Sequence, residues 1–490
     1  MKPLINLIFI LALSCFIAQA QSFQSAAKLV DRIEEIGQIQ DAQERQAAED
    51  NLWQALVAVE DVPFISVDTA VFLYRGQADQ LTWTGDMTGW VMENPDYEGS
   101  KAGLSNIWHL TKTYPVDARL DYQIIRNGNE WLLDPANPHQ QLSGYGYNSE
   151  LRMPEWEPSP YITVNEGVPR GSVSENIVLS SMNLGYDLQF RVYTPAGYST
   201  DQVYPVMYVT DGHEYINEEM GAMINVLDNL IHQELIAPVI AVFIDPREPG
   251  NLSNNRRAEQ YTGNLGFVSF VADELVPYID QEFATEASVA ARGILGTSLG
   301  GNNAAFCGGH RPDVFGLIAP QSPAFFEATY NLYENQEQLD QEIIMTTGVI
   351  YDTEYQAEQM KAILELKGYD VGYIEVNEGH SWGNWCALLD DILLYFFGED
   401  QGTGLKGQQA IPLKVWPTIV SPGDVVYLQA QNTDRTKVSL YSGLGKLVKK
   451  VSVHGRKHLQ LRIPSNMPAG MAIIHRTNGR QKHSAKLIVK

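Results

Sequence analysis

Cysteine is scarce in this chain. Three occur in 490 residues, at Cys15, Cys307 and Cys386. That is too few for a disulfide-stapled scaffold. Cys15 lies in the N-terminal apolar run, so the pair open to bridging is Cys307 with Cys386; two buried free thiols are the expected state. Long hydrophobic runs are missing after the first twenty residues, which excludes a transmembrane helix there. There is no repeat at solenoid spacing. Basic charge is scarce over most of the length: 34 Lys and Arg stand against 59 Asp and Glu, a formal net charge of −25. Fifteen of those bases, but only Asp424 and Asp434 among the acids, lie from Gln401 onward. The tail is therefore basic and everything before it strongly acidic. An acidic body repels nucleic acid and anionic membranes, so neither is an expected partner. The reversal of sign near residue 400 marks a separate module.

What is present is a globular composition, 10% of it aromatic, in a chain long enough for two to four domains. It opens "MKPLINLIFILALSCFIAQAQ". One Lys, a short apolar run and Ala18-Gln19-Ala20 form the pattern of a secretory signal peptide over 1–20, with Gln21 as the expected mature N-terminus. A lipoprotein reading of Cys15 fits the preceding Ala12-Leu13-Ser14 poorly. The expected setting is secreted or cell-surface.

Periodicity divides the remainder. Residues 21–60 read as helical, with Leu29, Ile33, Ile36, Leu52 and Leu56 at helical spacing. Residues 61–152 hold short β-branched and aromatic runs ("TAVFLYRG", "QLTWTG", "IWHLTKTYP", "LDYQIIRNG") parted by Gly, Asp and Asn, the pattern of an immunoglobulin-like β-sandwich. Pro-rich 153–169 reads as a linker. From 170 to 400, strands alternate with helices, which predicts an α/β domain with a mostly parallel sheet and helices on both faces. Strands are expected at 176–182, 187–194, 205–210, 238–244, 291–296, 316–319, 343–348 and 371–376. Helices are expected at 217–234, 265–282, 299–309 and 355–367. After a linker at 401–410, strands return over 411–490 as a small β domain.

The chemistry centres on "ARGILGTSLGGNNAAF", residues 291–306. A strand ends in Gly296-Thr297-Ser298-Leu299-Gly300 and a helix follows at once. In an α/β hydrolase the nucleophile sits on such a turn, and the residues two before and two after it must lack bulk. Ser298 is the candidate nucleophile. A serine hydroxyl is inert at neutral pH without a base. In this fold the acid and then the histidine follow the serine in the chain. His310 ends the helix after Ser298, some three turns away, and reads as a helix-end residue. His380, in "VNEGHSWGNW" between the last strand and the last helix, is the candidate base. "EIIMTTGVIYDTEYQAEQM" offers Asp352 and Glu354 as the third member; Asp352 is favoured, and a helix N-cap is its competing role. The backbone N–H of Leu299 and that of Gly212 or His213, in "PVMYVTDGHEY", are the candidate oxyanion donors. No cofactor or metal is called for.

These segments together resemble the putative-esterase (esterase D-like) family of α/β hydrolases. That family includes enterochelin esterases and the feruloyl and acetyl-xylan esterases of carbohydrate esterase family one. The resemblance runs over about 170–400, through "YPVMYVTDGHEY", "ELVPYIDQEF", "GTSLGGNNA", "HRPDVFG" and "EGHSWGNW". It implies the same roles for Ser298, His380 and Asp352. Two positions depart from its pattern: Glu378 replaces the first Gly of "GGH-x-W", and Cys386 replaces an Arg often seen after "W-x-x-W". Residues 65–150 resemble the N-terminal immunoglobulin-like domain of enterochelin esterases, related to glycogen-binding modules. Within them Trp83, Trp90 and Trp108 read as core rather than sugar platforms. The tail resembles a type IX secretion sorting domain through "GKLV" and "MPAG", although Met471-Ala472 replaces the usual apolar-Tyr. That implies the secretion machinery as a partner.

Two functions follow as expectations. The first is a secreted serine esterase acting on feruloyl or acetyl esters of polysaccharides, or on a siderophore trilactone. Trp382 and Trp385 beside His380 could line an acyl pocket or pack the last helix. Arg256 and Arg257 could meet an anionic or phenolic substrate, or form internal salt bridges with Glu259 or a neighbour. The second is a non-catalytic glycan-binding protein on a hydrolase scaffold. The intact set of Ser298, His380 and an acid argues against it.

Overall fold

The computed structural model describes residue 23, residues 25–60 and 62–398, and, beyond these, 415–416, 419–429, 436–442, 447–453, 458–464, 467, 469–478 and 481–490. The expected signal peptide and the linker 401–410 lie outside the described residues. The chain forms two compact units, one of Met1–Leu230 with Pro238–Leu389, the other of Ile231–Ala237 with Asp390–Lys490.

In the first unit, the helical segment is two helices rather than one, Ala26–Gly37 and Ala42–Val57. Two residues account for the break. A Cβ on Gly37 would lie 2.5 Å from the Ala102 carbonyl oxygen, so the chain is pinned there. Asp41 then caps the second helix, accepting from the N–H groups of Gln43 and Glu44. Leu29, Ile33, Ile36, Leu52 and Leu56 are buried against Val71, Leu73 and Ile107 of the adjoining sheet. Each such side chain contributes on the order of 1.5–3 kcal/mol when fully buried.

That sheet runs Phe64–Ser66, Thr69–Arg75, Ile107–Thr113, Ser100–Lys101, all antiparallel. A second sheet runs Leu81–Gly85, Arg119–Arg126, Gly146–Arg152, Gln140–Ser143, with Glu130–Leu132 also on Arg119–Arg126. The two share one core in which Phe72 and Tyr74 meet Trp83, Tyr122 and Leu151. Trp83 and Trp108 are buried in that core. Trp90 instead sits on a turn at φ 63° and donates its Nε1–H to Asp86. The Pro-rich segment is docked: Asn229 donates to the carbonyls of Tyr161 and Thr163, and Asn225 to that of Ile162.

The α/β region is a nine-stranded mixed sheet. Its order is Ser172–Val173, Asp187–Thr194, Ile240–Asp245, Val206–Val209, Arg292–Thr297, Leu317–Gln321, Glu342–Gly348, Gly372–Val376, with Ile177–Ser180 also on Asp187–Thr194. From Ile240–Asp245 onward every pairing is parallel, while the strands before it pair antiparallel. Val206–Val209, Ile240–Asp245, Arg292–Thr297 and Leu317–Gln321 are buried at every residue, as strands covered on both faces are. The expected helix 217–234 is shorter, Met223–His232. The expected helix 265–282 runs through a π-helical stretch, Phe270–Leu275, just before Pro277, which has no N–H to give.

In the second unit, Val415–Trp416, Val425–Gln429 and His458–Arg462 form one sheet. Ile419–Val420, Gln481–Val489, Gly470–Asn478, Thr436–Ser442 and Leu447–Val453 form another. Val426, Leu428, Leu440, Leu461 and Ile474 are among their common core.

Candidate active site

Ser298 joins strand Arg292–Thr297 to helix Leu299–His310 at φ 57°, ψ −118°. A positive φ is uncommon and costly for a residue with a side chain. The neighbours over-determine it. Ser298 N–H donates to the Gln321 carbonyl (3.0 Å), and its own carbonyl accepts from Ala324 (3.0 Å) and Asn302 (3.1 Å). Bulk is excluded as the motif requires: a Cβ on Gly296 would lie 2.0 Å from Thr210 Oγ1, and one on Gly300 2.5 Å from the same atom.

Three loops at the carboxyl ends of the strands bring the partners in. His380 Nε2 lies 2.9 Å from Ser298 Oγ. His380 Nδ1 lies 2.5 Å from Asp352 Oδ1. Asp352 has a fully buried side chain. Its Oδ2 accepts from Gly348 N–H (2.6 Å), Ser322 Oγ (2.6 Å) and Asn384 Nδ2 (3.3 Å). Of the two candidate carboxylates it is Asp352 that contacts His380, while Glu354 begins helix Glu354–Leu366. The kink is at Tyr351, held at φ 50°. The imidazole is about one-third exposed, so one edge of the site is open to solvent.

Trp385 stacks edge-on to His380, with ring centroids 4.9 Å apart, and donates its Nε1–H to Ser322. Trp382 packs edge-on against Trp385 and Tyr215. Both indoles are buried. The sequence reading did not single out Ser322, Gln321, Tyr215 or Asn384. Tyr215 donates to Gln321 Oε1 (2.7 Å), and Gln321 Nε2 donates to the Trp385 carbonyl (3.0 Å). The available signal was position: Gln321 and Ser322 close the strand beside the one that delivers Ser298.

Leu299 is the first residue of the helix after Ser298, where N–H groups have no helical acceptor. Gly212 and His213 open the short helix Gly212–Ile216. Gly212 is small because of a close approach, not a turn. The left-handed turn residue is Asp211, at φ 53°, whereas a Cβ on Gly212 would lie 2.3 Å from the Phe243 backbone. Arg257 supports that turn: its Nε donates to Asp211 at 2.8 Å and its Nη2 to the Thr297 carbonyl at 3.2 Å. Arg256 pairs with Glu259 (3.3 Å) and Glu248 (3.6 Å) and lies over the Tyr186 ring. Burial lowers the His213 pKa and raises that of Glu214 to about 7, with Asp211 adding to the latter. His310 ends its helix, edge-on to Phe306. Cys307 and Cys386 are buried free thiols. Among the described residues no group of three or more His, Cys, Asp or Glu is placed to hold a metal ion.

A serine on a positive-φ strand–helix corner of a mixed sheet, hydrogen-bonded to a histidine that is backed by a carboxylate, defines an α/β-hydrolase-like fold with the layout of a hydrolytic site. Residues 181–396 match the family model "Putative esterase". An Iron(III) enterobactin esterase of Escherichia coli O6:H1 is 27% identical over 288 residues, 57% of this chain and 66% of that protein. An endo-1,4-beta-xylanase/feruloyl esterase of Xylanibacter ruminicola is 25% identical over 226 residues, 43% of this chain and 30% of that longer protein. The crystal structure of the ferric enterobactin esterase of Salmonella typhimurium superposes with a TM-score of 0.56 at 18% identity, covering 66% of this chain and 92% of that one. The chain is a carboxylic ester hydrolase. Among the described residues no helix is long and apolar enough to cross a membrane.

Proposed function

We propose that the chain is a secreted serine esterase in which Ser298, His380 and Asp352 form the catalytic triad. The observation that carries this reading is the unbroken path from Ser298 Oγ through His380 to the buried Asp352, with contacts of 2.9 and 2.5 Å. Asp352 keeps the imidazole proton on Nδ1, so the Nε2 lone pair faces the serine hydroxyl. Ser298 attacks the ester carbonyl and His380 takes its proton. The N–H of Leu299 and that of Gly212 or His213 receive the oxyanion. His380 then protonates the departing alcohol, and the acyl-enzyme is opened by water that the same histidine deprotonates. No cofactor enters these steps.

For the substrate, the reading is a feruloyl or acetyl ester of a polysaccharide, because export by the N-terminal leader and a type IX-like tail suits an extracellular polymer. A second reading, a siderophore trilactone, is favoured by the superposition that spans 92% of an enterobactin esterase. A fluorophosphonate probe followed by peptide mapping tests the nucleophile: the adduct is expected on Ser298. Labelling elsewhere, or none on the folded protein, overturns the reading and brings forward a glycan-binding role. Ranking kcat/KM for feruloyl, acetyl-xylan and trilactone esters separates the substrates.

A further inference from the structure

The loop that carries His380 is braced from the β-sandwich. Arg119 begins the sandwich strand Arg119–Arg126 and is fully buried. Its Nη1 donates to Ser381 Oγ at 2.9 Å, and its backbone N–H donates to the Asn377 carbonyl at 3.2 Å. Asn377 and Ser381 bracket His380. On the sandwich side, Nε donates to Glu150 (2.5 Å) and Nη2 pairs with Asp121 (2.6 Å). Trp156 adds a bond from its Nε1 to Glu378 Oε1 at 3.2 Å.

Gly379 in the loop and Gly383 in the helix Trp382–Ala387 that follows it record how close this approach is. A Cβ on Gly383 would lie 2.0 Å from Arg119 Cζ, and one on Gly379 2.2 Å from Asp86 Cβ. Neither is among the positive-φ glycines. Their lack of a side chain therefore serves the approach of the sandwich, not a turn.

Burying a guanidinium is costly unless it is paired and hydrogen-bonded. Burial works against the charge here, but Asp121, Glu150 and Glu378 outweigh it and Arg119 stays charged. Simple packing would need no charge. What a guanidinium adds is a rigid fork of donors with fixed directions. One arm points at the residue after His380, and the others are anchored on the sandwich.

We propose that Arg119 is a positioning residue for His380, fixing Ser381 and, through it, the imidazole at hydrogen-bond distance from Ser298. The proposal rests on the triad reading above. It makes the sandwich part of the catalytic apparatus rather than an appended binding module.

The test uses the full chain with Ser381→Ala, Arg119→Lys, Arg119→Gln and the double variant Arg119→Gln/Ser381→Ala. Circular dichroism and Tm report folding. Turnover of 4-nitrophenyl acetate gives kcat and KM separately, and fluorophosphonate labelling reports how well His380 activates Ser298. Misplacing a reacting group by an ångström can cost about 10²-fold, so Arg119→Gln is expected to lower kcat and labelling by about that factor, with KM within about twofold. Ser381→Ala is expected to lose about 10-fold and the double variant no more than Arg119→Gln, with Arg119→Lys in between. Wild-type kcat and labelling in folded variants, with only Tm reduced, overturns the proposal, as does full additivity of the two losses. If the Arg119 variants do not fold, Ser381→Ala decides: a loss in kcat at constant KM sustains the proposal, and an unchanged kcat ends it. Ser298→Ala run alongside separates the two levels. If it remains active, the triad reading fails and takes this inference with it. If it is silent while the Arg119 and Ser381 variants keep full activity, only this inference fails.

Discussion

Replacing Asp352 by Asn reverses the hydrogen-bond sense of one atom. Oδ2 accepts from Gly348 N–H and Ser322 Oγ, each at 2.6 Å, so the amide oxygen of Asn takes that side. The amide nitrogen then faces His380 Nδ1, where an acceptor stood at 2.5 Å. The imidazole relaxes to the tautomer with its proton on Nε2. That N–H points at Ser298 Oγ and cannot take a proton from it. In serine proteases the same change lowers kcat by about 10⁴. At about 1.36 kcal/mol per decade this is roughly 5.5 kcal/mol of transition-state stabilisation. Folding suffers less, by about 1–3 kcal/mol, because the donors on Oδ2, among them the Gly348 N–H and the Ser322 and Thr347 hydroxyls, are still satisfied by an amide oxygen. Hydrolysis of 4-nitrophenyl acetate is the assay, with Glu354→Gln as the control two residues away. Asp352→Asn is expected near the background and Glu354→Gln within about twofold of wild type. An Asp352→Asn enzyme within about tenfold of wild type, or a Glu354→Gln enzyme as damaged as it, refutes the reasoning.

Three further outcomes are expected. Gly296→Ala would place a methyl 2.0 Å from Thr210 Oγ1 and 2.4 Å from the Gly300 carbonyl oxygen, so the helix after Ser298 must shift; a loss of about 1–3 kcal/mol in urea unfolding is expected, and wild-type stability would show the corner is looser than described. Burial raises the Glu214 pKa to about 7, above its ordinary 4.5, so the folded state holds a proton that the unfolded chain releases. Stability from this group is therefore present at low pH and declines as pH rises from about 4.5 through about 7; Tm of wild type relative to Glu214→Gln should fall across that window, and a constant difference contradicts the assignment. Burial also pushes both Cys307 and Cys386 thiols up to about 12. Neither should react with Ellman's reagent until the protein unfolds, and Tm should be the same with and without reductant; rapid labelling of the native protein would refute their burial.

Much of the α/β region was legible because its signals are local. The corner at Ser298 needs small residues two positions either side, and the sequence states them. The strand expected at 187–194 is observed as Asp187–Thr194, because Leu188, Phe190 and Val192 alternate with polar residues and turn one face into the core. What resisted reading was set by residues far apart in the chain. Asp352 and Glu354 stand two residues apart, one in the loop and one at the start of the helix after it, and the kink at Tyr351 is what turns Asp352 inward. The need for glycine at position 212 comes from Phe243 on a neighbouring strand, which no local pattern around Gly212 announces. The helical pattern over 23–60 hid a break because its apolar spacing continues across Gly37–Asp41, and the contact that stops the first helix comes from Ala102. Cys386 lacks the Arg of the resembling pattern, while Arg119 brings its charge to the same neighbourhood from more than 260 residues earlier in the chain. No local pattern in either segment announces that pairing.

The central claim is that Ser298 is a nucleophile activated by His380. Turnover of 4-nitrophenyl acetate by the wild type beside Ser298→Ala, with both shown to be folded, tests it most directly. Loss of a serine nucleophile costs about 10⁶ in kcat, so the wild type should turn over and the variant should be indistinguishable from buffer. A folded Ser298→Ala protein that keeps measurable turnover contradicts the account.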